Sequence, residues 1–360
     1  MNATMSITDS GIASYGETTP VEYYYLCDDP TTLLEQIYIY FVLMCFVKPT
    51  VSILGITANI ISLLILRLSG LHKPSNILLF SLVIADTLNL FRSINYGAIL
   101  YWFGPDDVMC GFHYSAEVNY FLFYSLIGMQ YFHALGEYCS PMFPVLITFE
   151  RLVAVFKPLT FARIINRKRT IVLVVCAFLI WLPWAMLLPS NFNIGFVDIS
   201  QNITYMSPIP SDFLVQNIFI LGKFDANVNQ TFSNTLPLIF VTIGSIVLAV
   251  KVNIEMKKRK MLTSSQKMSW SPRTTRTLMM TCFFFVISTS AVTIIAQLDN
   301  EIEEEVIYFY LRREIRVLLM QINSSSSLFI YIATNRRFFN IFCGIFGIEI
   351  KLTKHRDDET

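Results

Sequence analysis

Apolar residues in this chain come in long runs separated by short polar segments. From position 38 to 67 it reads YIYFVLMCFVKPTVSILGITANIISLLILR, with Lys48 the one charge before Arg67. Crossing about 30 Å of hydrocarbon takes roughly 20 residues of helix at 1.5 Å each. By that measure the pattern predicts spans at about 38–67, 76–101, 121–156, 170–190, 232–256, 274–297 and 306–333, followed by an amphipathic piece at 335–347. The third and seventh spans carry internal charge. The expected fold is an all-α membrane protein: a seven-transmembrane helix bundle with a short amphipathic eighth helix.

Composition agrees with a membrane protein. Of 360 residues, 54% are hydrophobic and 15% charged, against roughly 25% charged in a soluble domain. A net charge of +1 offers nothing to nucleic acid. The distribution of charge says more than its sum. Segments after odd-numbered spans are basic, with Arg67, Lys73, Arg163, Arg167, Lys168, Arg169 and the run Lys257-Lys258-Arg259-Lys260. The alternate segments are acidic, with Asp106, Asp107, Asp198, Asp212, Asp225 and the stretch from Asp299 to Glu305. The positive-inside rule then places the N-terminus outside and the C-terminus inside. Three glycosylation sequons, at Asn2, Asn202 and Asn229, fall on the predicted outside. Residues 1–37 contain no Lys or Arg and no signal-peptide core, so the first apolar run is expected to act as its own insertion signal. The expected organisation is an extracellular glycosylated segment 1–37, a membrane domain 38–333, and an amphipathic helix with cytoplasmic tail at 334–360.

Polar residues inside the spans are the candidates for function. VLITFERLVAVFKPL, from Val145 to Leu159, sets Glu150 and Arg151 side by side at the inner end of the third span. They read either as a pair reaching the aqueous boundary or as a pair that holds itself until something moves it. Asp86 has about ten apolar residues behind it and so lies near mid-membrane. Asn59 on the first span, Ser140 on the third, and Asn323 and Ser324 on the seventh are placed at similar depth. One carboxylate with several hydroxyl and amide oxygens suits a small hard cation such as sodium, a water network, or a structural polar cluster tying helices together.

These residues fall in an order that resembles the rhodopsin-like (class A) G-protein-coupled receptors over about residues 38–347. The matches are Gly55 with Asn59, Leu82 with Asp86, Trp102-Phe103-Gly104 before Cys110, Glu150-Arg151-Leu152 before Lys157-Pro158-Leu159, Trp181, Leu236-Pro237, and NSSSSLFIY ending at Tyr331 before NRRFFNIF. Within the class the chain looks closest to invertebrate peptide-receptor-like and chemosensory branches. The resemblance implies that Glu150 holds Arg151 at rest, that the sixth span moves outward on activation, and that Arg151 and Tyr331 then support a G-protein cleft.

The chain departs from the family pattern in several places. Ser327-Leu328 replaces the usual Asn-Pro before Tyr331, so the seventh helix is expected to kink less there. The sixth span lacks the usual Trp and Pro; Phe283, Phe284 or Phe285 must supply any toggle, with Phe284 the first choice, and Ser288–Ser290 the kink. Leu152 stands where Tyr is usual. The second outer loop, about 191–231, has no cysteine to meet the third span, and the family habit of tying that span down implies a Cys27–Cys110 pair instead. Cys343 is a palmitoylation candidate at the inner surface.

Charges counted outward from the motif residues outline a ligand pocket. Lys48 lies about 16 Å above Asn59, and Arg92 about 9 Å above Asp86. His133 and Glu137 are one turn apart on the third span, as are Arg312 and Arg316 on the seventh. Facing one cavity, they suggest an anionic group on the ligand. The alternative is internal pairing, with Arg316 meeting Glu314 or Glu137 and Lys48 reaching outward to the boundary.

The expected function is a plasma-membrane receptor that binds an extracellular peptide or small chemosensory ligand and activates heterotrimeric G proteins. Two alternatives are a seven-helix transporter or channel, and a receptor-like protein that has lost coupling. No HExxH, GxSxG or GxxxxGK[ST] motif is present, which argues against an enzyme.

Overall fold

The structure is a computed structural model that describes residues 39, 42–94, 116–200, 203–224, 227, 231–261, 272–301 and 306–347. Asn2, Cys27, Cys110, Asn202 and Asn229 lie outside the described residues, and with them the glycosylation and disulfide expectations.

Among the described residues, seven helices are long and apolar enough to cross a membrane: Leu43–Ser69, Pro74–Ile94, Ile127–Phe156, Arg167–Leu187, Thr231–Ile254, Leu278–Gln297 and Leu311–Thr334. They form the expected bundle. The second span is the innermost, 61% buried, whereas the fifth is 22% buried and forms the periphery. A shared core of Ile65, Leu82, Val83, Phe143, Trp181, Val241, Leu278, Phe285 and Tyr331 joins them.

Prolines and serines shape the helices that carry the site. On the first span the Lys48 N–H bonds to the Leu43 carbonyl, a π-turn directly before Pro49. The wider turn accommodates a ring that would otherwise crowd the carbonyl four residues back. The third span is two helices, Ala116–Cys139 and Met142–Phe156, meeting at Ser140-Pro141. Pro141 and Pro144 have no N–H to donate, so the ladder lapses there, and Phe143 N–H turns to the Ser140 carbonyl at 3.2 Å.

The seventh span corrects an expectation. Although it lacks the usual proline, it is interrupted between Val306–Ser325 and Ser327–Thr334. Serines do what proline would have done. Ser325 Oγ donates to the Gln321 carbonyl at 2.7 Å and Ser326 Oγ to the Asn323 carbonyl at 2.7 Å. Such side-chain bonds compete with the backbone ladder, and Ser326 N–H falls back to Asn323 at 3.1 Å, a tighter turn.

Glycine sets the spacing of the second and third spans. A Cβ on Gly136 would stand 2.3 Å from the Asn89 nitrogen and 2.6 Å from the Ala85 carbonyl oxygen. Only a residue without a side chain lets the two backbones approach this closely, and they do so beside Asp86.

The segment between spans four and five is more ordered than a loop. Strands Phe192–Ser200 and Ile203–Pro210 pair antiparallel, Phe192 opposite Pro210, with an irregularity at Asp198–Ser200. A helix, Asp212–Phe224, follows. Beyond the seventh span, Asn335 caps the amphipathic helix Arg336–Ile345, its Oδ1 accepting from the backbone N–H of Arg337 at 3.1 Å and Phe338 at 3.3 Å.

Candidate functional site

The polar residues inside the bundle form three groups at different depths. The middle one centres on Asp86, which is 2% exposed. Ser140 Oγ donates to its Oδ1 at 2.6 Å, and Ser327 Oγ lies 3.5 Å from its Oδ2. Ser140 reaches it because the Pro141 break and the Gly136 contact place that turn of the third span against the second. A small cavity lies beside the carboxylate, lined by Asp86, Ser140, Thr281, Asn323 and Ser327, with Phe285 closing one side. Asn59 Nδ2 donates to the Ser324 carbonyl at 3.1 Å, and Asn89 Nδ2 to Ser324 Oγ at 3.2 Å. Ser324 thereby links spans one, two and seven. All five residues placed at this depth from sequence come together.

Asn89 and Ser327 belong to the same group, and sequence reasoning missed both. Each lies one turn beyond a residue already singled out, Asn89 after Asp86 and Ser327 after Asn323, so helical spacing could have found them.

The inner group is a three-residue latch. Glu150 and Arg151 are buried, with Arg151 Nε 3.0 Å from Glu150 Oε2. Ser75, at the start of the second span, bridges the pair. Its hydroxyl donates to Glu150 Oε1 at 2.8 Å and accepts from the guanidinium of Arg151. The pair therefore does not reach out to solvent; it is held against another helix. Ser75 gave little signal in sequence, since a Ser after Lys73-Pro74 reads equally well as an ordinary helix start.

Tyr331 lies between the two groups. It is 1% exposed and packs edge-on against Phe338, ring centroids 5.3 Å apart. Its hydroxyl lies near Ser327 and Asp86 without a well-aligned hydrogen bond. Tyr331 thus links the mid-membrane cluster to the amphipathic helix.

Two sequence expectations are corrected here. Phe284, the first choice for a toggle, is exposed on the outside of the bundle together with Phe283; Phe285 is buried and lines the Asp86 cavity. Three consecutive residues on a helix point about 100° apart, so only one could face in. Cys343 is buried rather than turned to the surface where an acyl chain would attach.

The outer group is a charge network. Lys48 on the first span forms a buried ion pair with Glu314 on the seventh, so Lys48 does not extend outward to the boundary. His133 Nδ1 is 2.7 Å from the Asn89 carbonyl, which requires the proton on that nitrogen, and Nε2 is 3.5 Å from Glu137 Oε2. Arg92 stands close enough to act electrostatically on both Lys48 and His133. Arg316, half-buried on the seventh span, is also engaged with neighbours. The structure thus gathers Lys48, Arg92, His133 and Glu137, and shows Lys48 already matched by a carboxylate.

Seven membrane-length helices, a carboxylate–hydroxyl cluster at mid-depth and a latched Glu-Arg pair at one end together define a serpentine receptor. Over residues 46–348 the chain matches the model of the family described as Serpentine type 7TM GPCR chemoreceptor Srw, and it belongs to that family. It is therefore a G-protein-coupled receptor by family and a multi-pass membrane protein, and the family is one of receptors rather than enzymes. A comparison with curated proteins finds no match.

Proposed function

We propose that this receptor sits in the plasma membrane with its N-terminus outside and relays an extracellular chemical signal, a peptide or small chemosensory ligand, to a heterotrimeric G protein. The observation that carries this reading is the buried latch of Ser75, Glu150 and Arg151. A buried guanidinium next to its own carboxylate is costly unless both are well held, and Ser75 belongs to a different span. Relative motion of the second and third spans therefore separates groups that stabilise one another, which makes the latch a two-state element that a ligand can bias. Released, Arg151 becomes available at the inner end of the bundle, where basic loop residues would meet the G protein. The resemblance to class A receptors supports the same sequence of events.

A ligand entering from outside would meet the network of Lys48, Glu314, Arg92, His133 and Glu137, with Arg316 nearby. Exchanging the Lys48–Glu314 pair for contacts with a charged ligand alters the packing of spans one and seven. The Asn89–Ser324 and Asn59–Ser324 bonds carry that change to Asp86. A sodium ion fits the donor set of Asp86, Ser140, Asn323 and Ser327, one carboxylate with hard neutral oxygens; bound there, it would supply positive charge that favours the resting arrangement.

Nucleotide exchange on a panel of G proteins, with the full-length receptor in membranes and peptide or organic-acid fractions as stimuli, tests the proposal. Exchange should occur in the wild type and vanish in Arg151→Ala. Equal exchange in both would remove the latch from the mechanism. Ion flux without G protein would favour the transporter alternative.

A further inference from the structure

The helix Asp212–Phe224, DFLVQNIFILGKF, has no role in the latch, the Asp86 cluster or the outer charge network. Its composition is unusual for a segment joining two spans. Phe213, Val215, Ile218, Phe219, Ile220 and Phe224 are all exposed. Asp212, Gln216 and Lys223 fall on one narrow stripe at helical spacing, and apolar side chains occupy most of the remaining circumference. A continuous apolar surface of this kind is rarely left in water.

We infer that this helix is seated in the outer leaflet of the lipid bilayer, lying along the interface with its apolar flanks among acyl chains and its Asp212–Gln216–Lys223 stripe toward the headgroups.

Length and continuity select lipid as the occupant. Thirteen residues make about 20 Å of helix, too short to cross the hydrocarbon. It is fixed to the rim of the bundle, because Phe224 packs against Trp184 of the fourth span with centroids 4.4 Å apart and Leu221 joins the hydrophobic core. Its exposed apolar residues therefore adjoin the belt that Leu179, Ile180 and Met186 present on the fourth span. That belt faces acyl chains in a membrane protein. Lys223 lies over the Phe219 ring, 4.2 Å from its centroid. Its stem thus follows apolar surface while the ammonium stays at the edge, as lysines do at membrane interfaces. Too short to span and carrying Asp212 and Lys223, the helix can bury its apolar flanks in lipid only by lying along the interface, with those charges at headgroup level.

Photolabelling of the full chain in phospholipid nanodiscs with a neutral, membrane-partitioning aryl diazirine, read by peptide mass spectrometry, tests this. Labelling at Phe219 and Ile220 should come within about two-fold of that at Ile243 and Ile246 of the fifth span, whose apolar side chains sit in the same solvent. Gln216→Asp should leave it unchanged, while Ile220→Asp should lower labelling of the whole helix with the receptor still folded, as judged by unchanged labelling of the fifth span. Labelling no higher than at His72 and Lys73 in the first inner loop would place the helix in water and overturn the inference. So would low labelling combined with cross-links between two receptor copies through this helix, which would make a second copy the occupant.

Discussion

Ser75 and Glu150 are joined by a 2.8 Å hydrogen bond from hydroxyl to carboxylate, across two spans and 75 positions of chain. Through it the Glu150–Arg151 pair is tied to a helix that does not contain it. Ser75→Ala leaves Glu150 and Arg151 in place and removes only the tie. A bond to a charged group contributes about 1.5 kcal/mol or more, so basal nucleotide exchange should rise about ten-fold or more over wild type. An unchanged basal rate with normal surface expression would show that Ser75 is a bystander.

The Asp86 cluster predicts a sodium effect that does not depend on signalling. In purified wild-type receptor, replacing choline chloride with sodium chloride should raise the melting temperature by about 2 °C or more, because an ion that binds only the folded state stabilises it by mass action. Asp86→Asn should abolish the difference. Ser140→Ala, which removes the hydroxyl 2.6 Å from the carboxylate, should reduce it. A sodium response that persisted in Asp86→Asn would move the ion elsewhere.

Gly136 and Gly128 lie on the same helix but should respond oppositely to alanine. A Cβ at Gly136 meets backbone of the second span at 2.3 Å, whereas no described residue lies within 4 Å of one at Gly128. Gly136→Ala must push the helices apart and should cost about 1–3 kcal/mol. Gly128→Ala should be neutral or stabilising by up to about 1 kcal/mol through helix propensity. Thermal unfolding of the two variants side by side decides it.

The Lys48–Glu314 pair predicts strong non-additivity. Lys48→Met or Glu314→Leu alone leaves the buried partner charge uncompensated in the bundle and should cost about 3–5 kcal/mol. The double variant Lys48→Met/Glu314→Leu should recover most of that loss. If the two single losses simply summed in the double variant, the residues would not be coupled.

Much of this architecture is legible in the order of residues, for a physical reason. Membrane insertion depends on local hydropathy and on loop charge, both one-dimensional quantities, so the seven spans could be placed with their ends within about seven residues. Mid-membrane polar residues are similarly conspicuous, and Asn59, Asp86, Ser140, Asn323 and Ser324 were grouped by depth alone. Depth does not fix direction. Phe284 and Phe285 share a depth to within one residue, and only the packing of the sixth span decides that Phe285 faces the cavity. The seventh helix was expected to run on without its proline, because side-chain bonds from a run of serines are invisible to a rule about ring closure.

What the sequence by itself determined is the class of molecule: a seven-span bundle with an Asp, an Arg and a Tyr at depths where charge and hydroxyl are costly unless used. What only the tertiary structure decided is partnership. Ser75 completes the Glu150–Arg151 latch, Glu314 takes Lys48, Asn89 shares Ser324 with Asn59, and a helix in the fourth-to-fifth connection carries an apolar surface that stays exposed among the described residues. Hydropathy is a property of each segment, but a hydrogen bond or an ion pair between spans depends on the rotation of two helices about their axes. That rotation is set by close packing at places such as Gly136, where a few ångströms decide which side chains meet.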